Sequence, residues 1–529
     1  MSTDRTSGEI LVERAKTHGH DPFYIVGDET ITYGEVNEHA NSIGNSLLDM
    51  GVKKGDKICA LLRNSIDHIY VWFATAKIGA ALVPINIQLE KEQLTHIINN
   101  SDAKLLLIEA DLLPQLEAIQ DKLSKLKKVI ISGGGELPAK AKWEVLPFRQ
   151  LLRGSAKQPE VEVSPTDLAC LLYTSGTTGL PKGVMCSHRY YTAGGEILAE
   201  KMKETREDVF YGTLPLYHIM GQVQAISTPL HVGGKVILAD RFSVSRFWES
   251  VRRYQISTAC LTGTQCVFLF QQTPKPDDAQ NSLRIITAFP TPSDIVDDFE
   301  NRFGTKIRNV YGLTEALLPL VASLDGPYKK GSLGQPTDYE VRIADDADNE
   351  LPDYEVGNII LRPKAISRRV FDGYYKKPEA SVDMLKHCWF HTGDVGYRDP
   401  DGFFWFASRR KDVIRFRGEN ISAPQVESII SSHSKIAECA VIGVPSDLGE
   451  EDVKTVVRLK KREKLKPEEL MAFCEDKMTW FMMPRYVEFV DELPKTATDK
   501  VEKFKLKDNW KTPATWDREA AGYQVKKRA

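Results

Sequence analysis

The chain reads as an α/β protein of more than one domain. Short apolar runs alternate with helix-periodic segments through the first part, as parallel strands covered on both faces do. The length, 529 residues, exceeds what one hydrophobic core ordinarily serves. Beyond residue 430 the apolar runs Ala440-Val441-Ile442-Gly443-Val444 and Thr455-Val456-Val457-Arg458-Leu459 follow a helical stretch holding Glu427 and Ile429-Ile430. That pattern predicts a compact α+β domain.

In chain order, Thr32-Tyr33-Gly34-Glu35 opens the first helical pattern. Val36, Ala40, Ile43 and Leu47 recur at helix spacing and define one buried face. Gly51 ends it, and Lys53-Lys54-Gly55-Asp56 is a polar turn. Ile58-Cys59-Ala60-Leu61-Leu62 reads as a buried strand. Residues 69–78 form a helix stopped by Gly79, and Ala81-Leu82-Val83-Pro84 is the next strand. Leu105-Leu106-Leu107-Ile108 and Val129-Ile130-Ile131 are further strands. Gly133-Gly134-Gly135 sits in a turn and is assigned no ligand.

Composition excludes several classes. Hydrophobic content of 42% and charged content of 27% are globular values. A net charge of −3 advertises neither nucleic acid nor an anionic membrane as partner. No apolar run reaches membrane-spanning length, and residues 1–5 lack a signal-peptide core. The eight cysteines are scattered without a Cys-x-x-Cys pair, which argues against zinc and against a disulfide framework. A reducing, cytoplasmic setting is expected. His387 and His391 have the spacing of helical metal ligands, but Cys388-Trp389-Phe390 between them predicts a strand. A strand would hold them about 13 Å apart, too far to share a metal.

The most informative stretch is Leu171-Leu172-Tyr173-Thr174-Ser175-Gly176-Thr177-Thr178-Gly179-Leu180-Pro181-Lys182-Gly183. Residues 168–173 read as a buried strand. The glycine- and hydroxyl-rich segment after it suits a loop whose backbone approaches an anion closely. Loop N–H groups, hydroxyls and one ammonium together suit a polyphosphate. Most loops of this composition are only surface turns; the order strand, Ser/Thr/Gly, Pro-Lys-Gly argues otherwise here. It is not a Walker loop, which ends in Gly-Lys-Ser/Thr.

Further signals follow. Pro215-Leu216-Tyr217-His218-Ile219-Met220-Gly221 places a histidine among apolar residues, ordinarily a core histidine. Ile285-Ile286-Thr287-Ala288-Phe289-Pro290 is a strand end. In Asn309-Val310-Tyr311-Gly312-Leu313-Thr314-Glu315 an aromatic face, a hydroxyl and a hard oxygen ligand for Mg²⁺ fall within five residues. On its own it is also a strand-to-helix turn with Thr314 as cap. Asp394 in His391-Thr392-Gly393-Asp394 sits in a tight turn. Ser408-Arg409-Arg410-Lys411-Asp412 is by itself a basic surface turn, and Arg415-Phe416-Arg417-Gly418-Glu419-Asn420 a basic hairpin. Leu493-Pro494-Lys495-Thr496-Ala497-Thr498-Asp499-Lys500 is the last. The tail after Lys507 is polar, mixed in charge and expected to be peripheral.

Taken in order, these motifs resemble those of the adenylate-forming superfamily, and most of all acyl-CoA synthetases near the fatty-acid and carnitine/crotonobetaine group. The resemblance runs over roughly residues 32–507. It implies a large, multi-subdomain α/β N-terminal domain (1–410) and a small mobile α+β C-terminal domain (411–529), with Lys411 at the hinge. It also implies ATP, Mg²⁺ and coenzyme A as cofactors and a small carboxylic acid as substrate. Thr174, Ser175, Gly176, Thr177, Thr178 and Lys182 would cradle phosphates. Ala288 and Tyr311 would border adenine, Asn309 and Gly312 would bind the cofactor, and Thr314 would meet the α-phosphate. Glu315 would hold the metal. Asp394 would bind both ribose hydroxyls, with Arg409 on the ribose and phosphate side. The Arg415 and Gly418 segment would swing in for the pantetheine arm. His218 would orient the acid, Gly221 would leave room for its chain, and Lys500 would be the catalytic lysine.

This sequence departs from the family at Thr287-Ala288-Phe289, at Ser408, and at Thr498-Asp499 where relatives carry Ser-Gly. Lys495 is therefore a fallback for Lys500. The implied chemistry is adenylation of the acid with loss of pyrophosphate, then transfer to a thiol. Coenzyme A is favoured; loading of a carrier protein is the alternative, and a luciferase-like oxidation or an inactive binding module stands behind both. Leu313, Ala316, Leu317 and Leu318 offer the acid an apolar wall, while Gln222 and Gln224 add polarity. The acid's identity and the oligomeric state, a homodimer included, stay open.

Overall fold

The computed structural model describes residues 5–89, 91–134, 142–174, 180–365, 372–409, 413–416, 419–446, 451–475, 477–478, 480–495 and 501–525. The chain divides into two compact units. One holds residues 1–341 and 361–390, the other residues 342–360 and 391–529. The chain crosses between them inside the strands Tyr339–Ala344, Gly357–Pro363 and Trp389–Arg398. This division by contacts falls elsewhere than 410/411. A hinge is a statement about motion, so the boundary at Lys411 stays with the proposals below.

In the larger unit, the first long helix, Tyr33–Asp49, is set by its sequence. Thr32 and Glu35 close a reciprocal capping box at its start. Val36, Ala40, Ile43 and Leu47 are all fully buried. The next helix, Ile66–Ile78, ends where Gly79 turns left-handed at φ 66°.

Among the described residues this unit carries a seven-stranded sheet. Its order is Glu144–Pro147, Lys128–Ser132, Leu105–Glu109, Lys57–Leu61, Ala81–Pro84, Leu168–Thr174, Lys182–Ser187. The strands run parallel up to Leu168–Thr174, whose pairing with Lys182–Ser187 is antiparallel. Both faces are buried, as the apolar runs require. Ile58, Ala60, Leu105, Leu107 and Ile130 enter one core cluster, while Cys59, Leu61, Leu106, Ile108 and Val129 enter another on the opposite face.

A nine-stranded sheet lies beside it, with Thr258–Thr262, Ile285–Phe289 and Lys306–Tyr311 as parallel neighbours. Phe210 and Val236 of this sheet share a cluster with Ile58 and Leu82 of the seven-stranded one, so one apolar core joins them.

The smaller unit is α+β. Ile436–Pro445 pairs antiparallel with Glu451–Leu459, which pairs parallel with Tyr486–Phe489. The helices Ala423–Ser431 and Pro467–Glu475 bury Val426, Ile430, Leu470 and Met471 in its core.

The tail is not peripheral. Trp516–Asp517 adds an antiparallel strand to Tyr486–Phe489. The Lys454 ammonium, 1% exposed, bonds the Glu488 carboxylate and the Trp510 carbonyl. Thr512 and Thr515 donate to the same carboxylate at 2.7 and 3.0 Å. Neutral groups of the tail thus close around a buried ion pair.

Two local expectations also change. His387 is not in a strand: His387 and Cys388 have φ 48° and 65° and form a two-residue hairpin turn between Leu385–Lys386 and Trp389–Arg398. Two successive positive φ values mark the type I′ turn that matches strand twist. Asp394 is not in a tight turn but inside the ten-residue strand Trp389–Arg398. Gly393, at φ 74°, distorts that strand without ending it. No helix among the described residues is long and apolar enough to cross a membrane.

Candidate active site

The site of the larger unit is built around the antiparallel pair Leu168–Thr174 and Lys182–Ser187. Register places Thr174 opposite Lys182, so the strands present both ends of the glycine- and hydroxyl-rich loop together. Ser175, Gly176, Thr177 and Thr178 lie outside the described residues. The base of the loop is held from below: His96 Nε2 donates to the Pro181 carbonyl at 3.0 Å.

On its other side the second strand meets residues 373–375. Met185 N donates to the Gly373 carbonyl (3.0 Å), and Tyr375 N to the Gly183 carbonyl (2.8 Å). Tyr374 between them becomes the centre of the site. Its hydroxyl donates to Glu315 Oε1 at 2.7 Å, and the Lys182 ammonium sits 5.0 Å from its ring centroid, within cation–π range. Burial first, and the neighbouring Glu315 charge next, push the Tyr374 phenol far above its ordinary range. It therefore stays a donor. One neutral side chain holds a cation on its face and a carboxylate at its tip.

Glu315 is 9% exposed. Among the described residues no cation pairs with it and Tyr374 is its one hydrogen-bond donor. A buried carboxylate with a free oxygen fits a hard divalent ion. A single such ligand suits Mg²⁺, which keeps waters and takes its remaining oxygens from phosphate. No group of three His, Cys, Asp or Glu side chains able to hold a metal occurs among the described residues.

Thr314, beside it, is fixed through its backbone: Tyr190 OH donates to its carbonyl at 2.8 Å, leaving the Thr314 hydroxyl uncommitted to that contact. Leu313 and Ala316 exchange backbone hydrogen bonds (3.0 and 3.1 Å), so residues 312–316 form a closed turn rather than the start of a helix. Gly312 is needed there, because a Cβ would lie 2.9 Å from the Leu318 nitrogen.

The residues expected on the adenine and cofactor side are placed unevenly. Tyr311 ends the strand Lys306–Tyr311, 9% exposed. Asn309 in the same strand donates to the Ser332 carbonyl at 2.9 Å, and its Oδ1 has no partner among the described residues. The Ala288 methyl is fully buried in the apolar cluster of Leu261, Ile286 and Ile307. The backbone of Ala288 is covered as well, between the neighbouring strands Thr258–Thr262 and Lys306–Tyr311.

His218 is exposed and precedes the helix that begins at Ile219; its ring packs 4.8 Å from that of Tyr217. Gly221 does not make room for a substrate. A Cβ there would lie 2.1 Å from the Pro215 carbonyl oxygen, so the space is taken by this chain's own backbone. Gln222 is likewise committed: Nε2 donates to the Leu216 carbonyl and Oε1 accepts from Tyr191 OH, both at 2.7 Å.

The remaining candidates belong to the smaller unit. Asp394 is 5% exposed, and its N–H donates to Thr392 Oγ1 at 3.1 Å. Arg409 pairs with Asp394 across the hairpin through the backbone, and Arg415 lies opposite Asn420. Gly418, Lys411 and Lys500 lie outside the described residues. Lys495 is ion-paired with Glu438 at 2.7 Å. Sequence reasoning missed Tyr374, Tyr190 and His96. None sits in a distinctive local pattern, and each acts on residues 59 or more positions away.

A family profile described as AMP-binding enzyme matches residues 11–375, and one described as AMP-binding enzyme C-terminal domain matches residues 425–500. The chain belongs to the AMP-binding enzyme family. Among the relatives of this AMP-binding enzyme, a crotonobetaine/carnitine–CoA ligase of Salmonella arizonae is 34% identical over 490 residues, 90% of this chain and 93% of that one. An anthranilate CoA ligase solved with anthranoyl-AMP superposes with a TM-score of 0.86 at 26% identity, covering 96% of this chain and 98% of that one. An O-succinylbenzoate coenzyme A synthetase from Bacillus subtilis, solved with AMP, gives 0.82 at 26%, with the same coverage. The two-part α/β architecture of this AMP-binding enzyme is that of these ligases.

Proposed function

We propose that this chain is an AMP-forming acid–CoA ligase: it joins a carboxylic acid to ATP as the acyl adenylate, releases pyrophosphate, and passes the acyl group to the thiol of coenzyme A. The observation that carries the reading is the Lys182–Tyr374–Glu315 arrangement at the start of the strand Lys182–Ser187. It sets one cation and one metal-ready carboxylate at fixed spacing on a neutral phenol.

The obstacle to the first step is the approach of a carboxylate to a triphosphate. Mg²⁺, when bound, supplies positive charge to the phosphate oxygens. Glu315 would hold it, Lys182 and the loop of residues 174–178 would hold the phosphates, and Thr314 the α-phosphate. Such groups stabilise the transition state because they are fixed before charge develops. Tyr311 and Ala288 would border adenine, Asn309 and Gly312 would belong to the same cofactor site, and Asp394 with Arg409 would meet the ribose. His218 would orient the acid. Lys500 serves adenylation, and the segment of Arg415 and Gly418 serves thiol transfer, with residues 411–529 moving as a body between the steps. Free coenzyme A is the acceptor; the relatives are CoA ligases, so carrier-protein loading is not favoured. The cytoplasm is the compartment proposed.

The test is a carboxylic-acid panel scored by exchange of pyrophosphate into ATP, with and without Mg²⁺, and then by thioester formation on adding CoA. Acid-dependent, Mg²⁺-dependent exchange is expected. ADP and phosphate as products, with no exchange for any acid, would overturn the reading.

A further inference from the structure

Residues 219–232 form one helix in three stretches: Ile219–Gln222, a wider π-type turn at Val223–Ser227, and Thr228–Val232. Pro229 accounts for the widening. It has no N–H to give, and its ring crowds the carbonyl four residues back, that of Ala225. That carbonyl accepts from the buried Tyr24 hydroxyl at 2.8 Å. Turns of this kind reorient the side chains they carry.

The turn borders the candidate site. A Cβ on Gly194 would meet Leu317 at 2.2 Å and Val223 at 3.5 Å, so both side chains press on the same point of the helix His188–Met202. Leu317 is two residues past Glu315, and Tyr190 of the same helix fixes Thr314. On its far side the turn packs on the strand Val209–Gly212, where a Cβ on Gly212 would lie 3.1 Å from Ala225 Cβ.

Gln224, within the turn, is 1% exposed, and neither its Nε2 nor its Oε1 has a hydrogen-bond partner among the described residues. Thr228, four residues on and so on the same face, is fully buried with its Oγ1 unpartnered. Thr213, just past the strand on which the turn packs, is the same: 3% exposed, Oγ1 unpartnered. Gln222, two residues earlier, has both amide atoms bonded. A buried amide with nothing to bond is costly to keep, and native folds rarely hold one without a ligand or water to meet it.

We infer that Gln224, supported by Thr228 and Thr213, recognises a neutral hydrogen-bonding group (a hydroxyl, carbonyl or amide) on the substrate acid, remote from its carboxylate. This rests on the ligase reading above. An amide both donates and accepts, which matches a neutral polar group. No described charged side chain bonds any of the three residues, as a charged substituent would need once buried.

The experiment uses pyrophosphate exchange with paired acids of increasing length, each ω-hydroxy acid beside its methyl-ended isostere. The wild type should favour the hydroxy acid of one length by at least about tenfold in kcat/KM, since a site built for a polar group penalises its absence. Gln224→Leu should level or reverse that ratio, read as kcat/KM for each pair of acids. Thr228→Val, which removes one hydroxyl at nearly constant shape, should lower the same ratio and serves if Gln224→Leu does not fold. A wild-type preference for methyl-ended acids at every length, or a ratio unmoved by the variants, overturns the inference and leaves the ligase reading standing. Exchange with no acid at all removes both.

Discussion

Among the described residues Glu315 is held by a phenol and not by a cation, and that sets what its removal should do. A lost hydroxyl in a phosphate site is replaced by water; a metal-holding carboxylate is not. Glu315→Gln should lower the rate of pyrophosphate exchange at least about a hundredfold, the scale of one lost transition-state contact. Near-normal turnover at ordinary Mg²⁺ would remove Glu315 from the site. Tyr374→Phe deletes only the hydroxyl that donates to Glu315 Oε1. A hydrogen bond to a charged group is worth about 1.5–3 kcal/mol, so activity should fall roughly tenfold or more, with a raised Mg²⁺ requirement. An Mg²⁺ titration that superposes on the wild-type curve would show that Tyr374 does not position the metal ligand. Glu315 itself was legible as a candidate from Tyr311-Gly312-Leu313-Thr314-Glu315. Tyr374 was not, because what makes it important is a contact across 59 residues of chain.

At the scale of elements, the helix of residues 219–232 shows how a correct residue can carry the wrong reason. Gly221 stood out beside His218, and spare room for a substrate was the natural reading. The backbone of Pro215 occupies that room. In an ordinary helix Gly→Ala stabilises by up to about 1 kcal/mol. Here Gly221→Ala should destabilise by about 1–3 kcal/mol, as overpacking does, and lower the thermal midpoint. A midpoint equal to or above wild type would contradict the close approach. The strands were legible for a simple reason: sheets buried on both faces write continuous apolar runs such as Leu105-Leu106-Leu107-Ile108, and both faces are indeed filled. The strand around Asp394 was read as a turn because Gly393 punctuates it, and a sequence does not distinguish a glycine that ends a strand from one that only bends it. The tail misled for another cause. Polar composition hid Thr512, Thr515 and the Trp510 carbonyl, which close around Lys454 and Glu488 only after the chain has returned to the sheet.

For the molecule as a whole, two reactions in one enzyme ask for two arrangements of the same parts. Lys500→Ala should cripple adenylation yet leave conversion of supplied acyl-AMP to acyl-CoA; equal loss in both halves would refute the assignment. The alternative lysine, Lys495, is already paired with Glu438, so Lys495→Ala should spare the adenylation step. Lys411→Pro should form acyl-AMP but slow transfer to CoA by orders of magnitude, because proline locks φ near about −65°. Lys411→Ala, which removes the ammonium and leaves the backbone free, is the control, and identical behaviour of the two variants would end the hinge claim. These roles come from motif order alone, since both Lys411 and Lys500 lie outside the described residues.

The hairpin turn at His387 and Cys388 bears on how such motion can be followed. Seven of the eight cysteines are buried, and Cys388 alone is exposed. Burial pushes thiols such as Cys59, Cys260 and Cys474 up to about 12, so few are thiolates at neutral pH and reagents reach them poorly. A maleimide dye should therefore attach once per native chain, at Cys388. That residue stands two positions before the chain passes from one compact unit to the other. The protein thus carries its own labelling site ahead of the proposed pivot at Lys411, and a second dye placed within residues 411–529 would read the distance across that pivot in each half-reaction without engineering the first site.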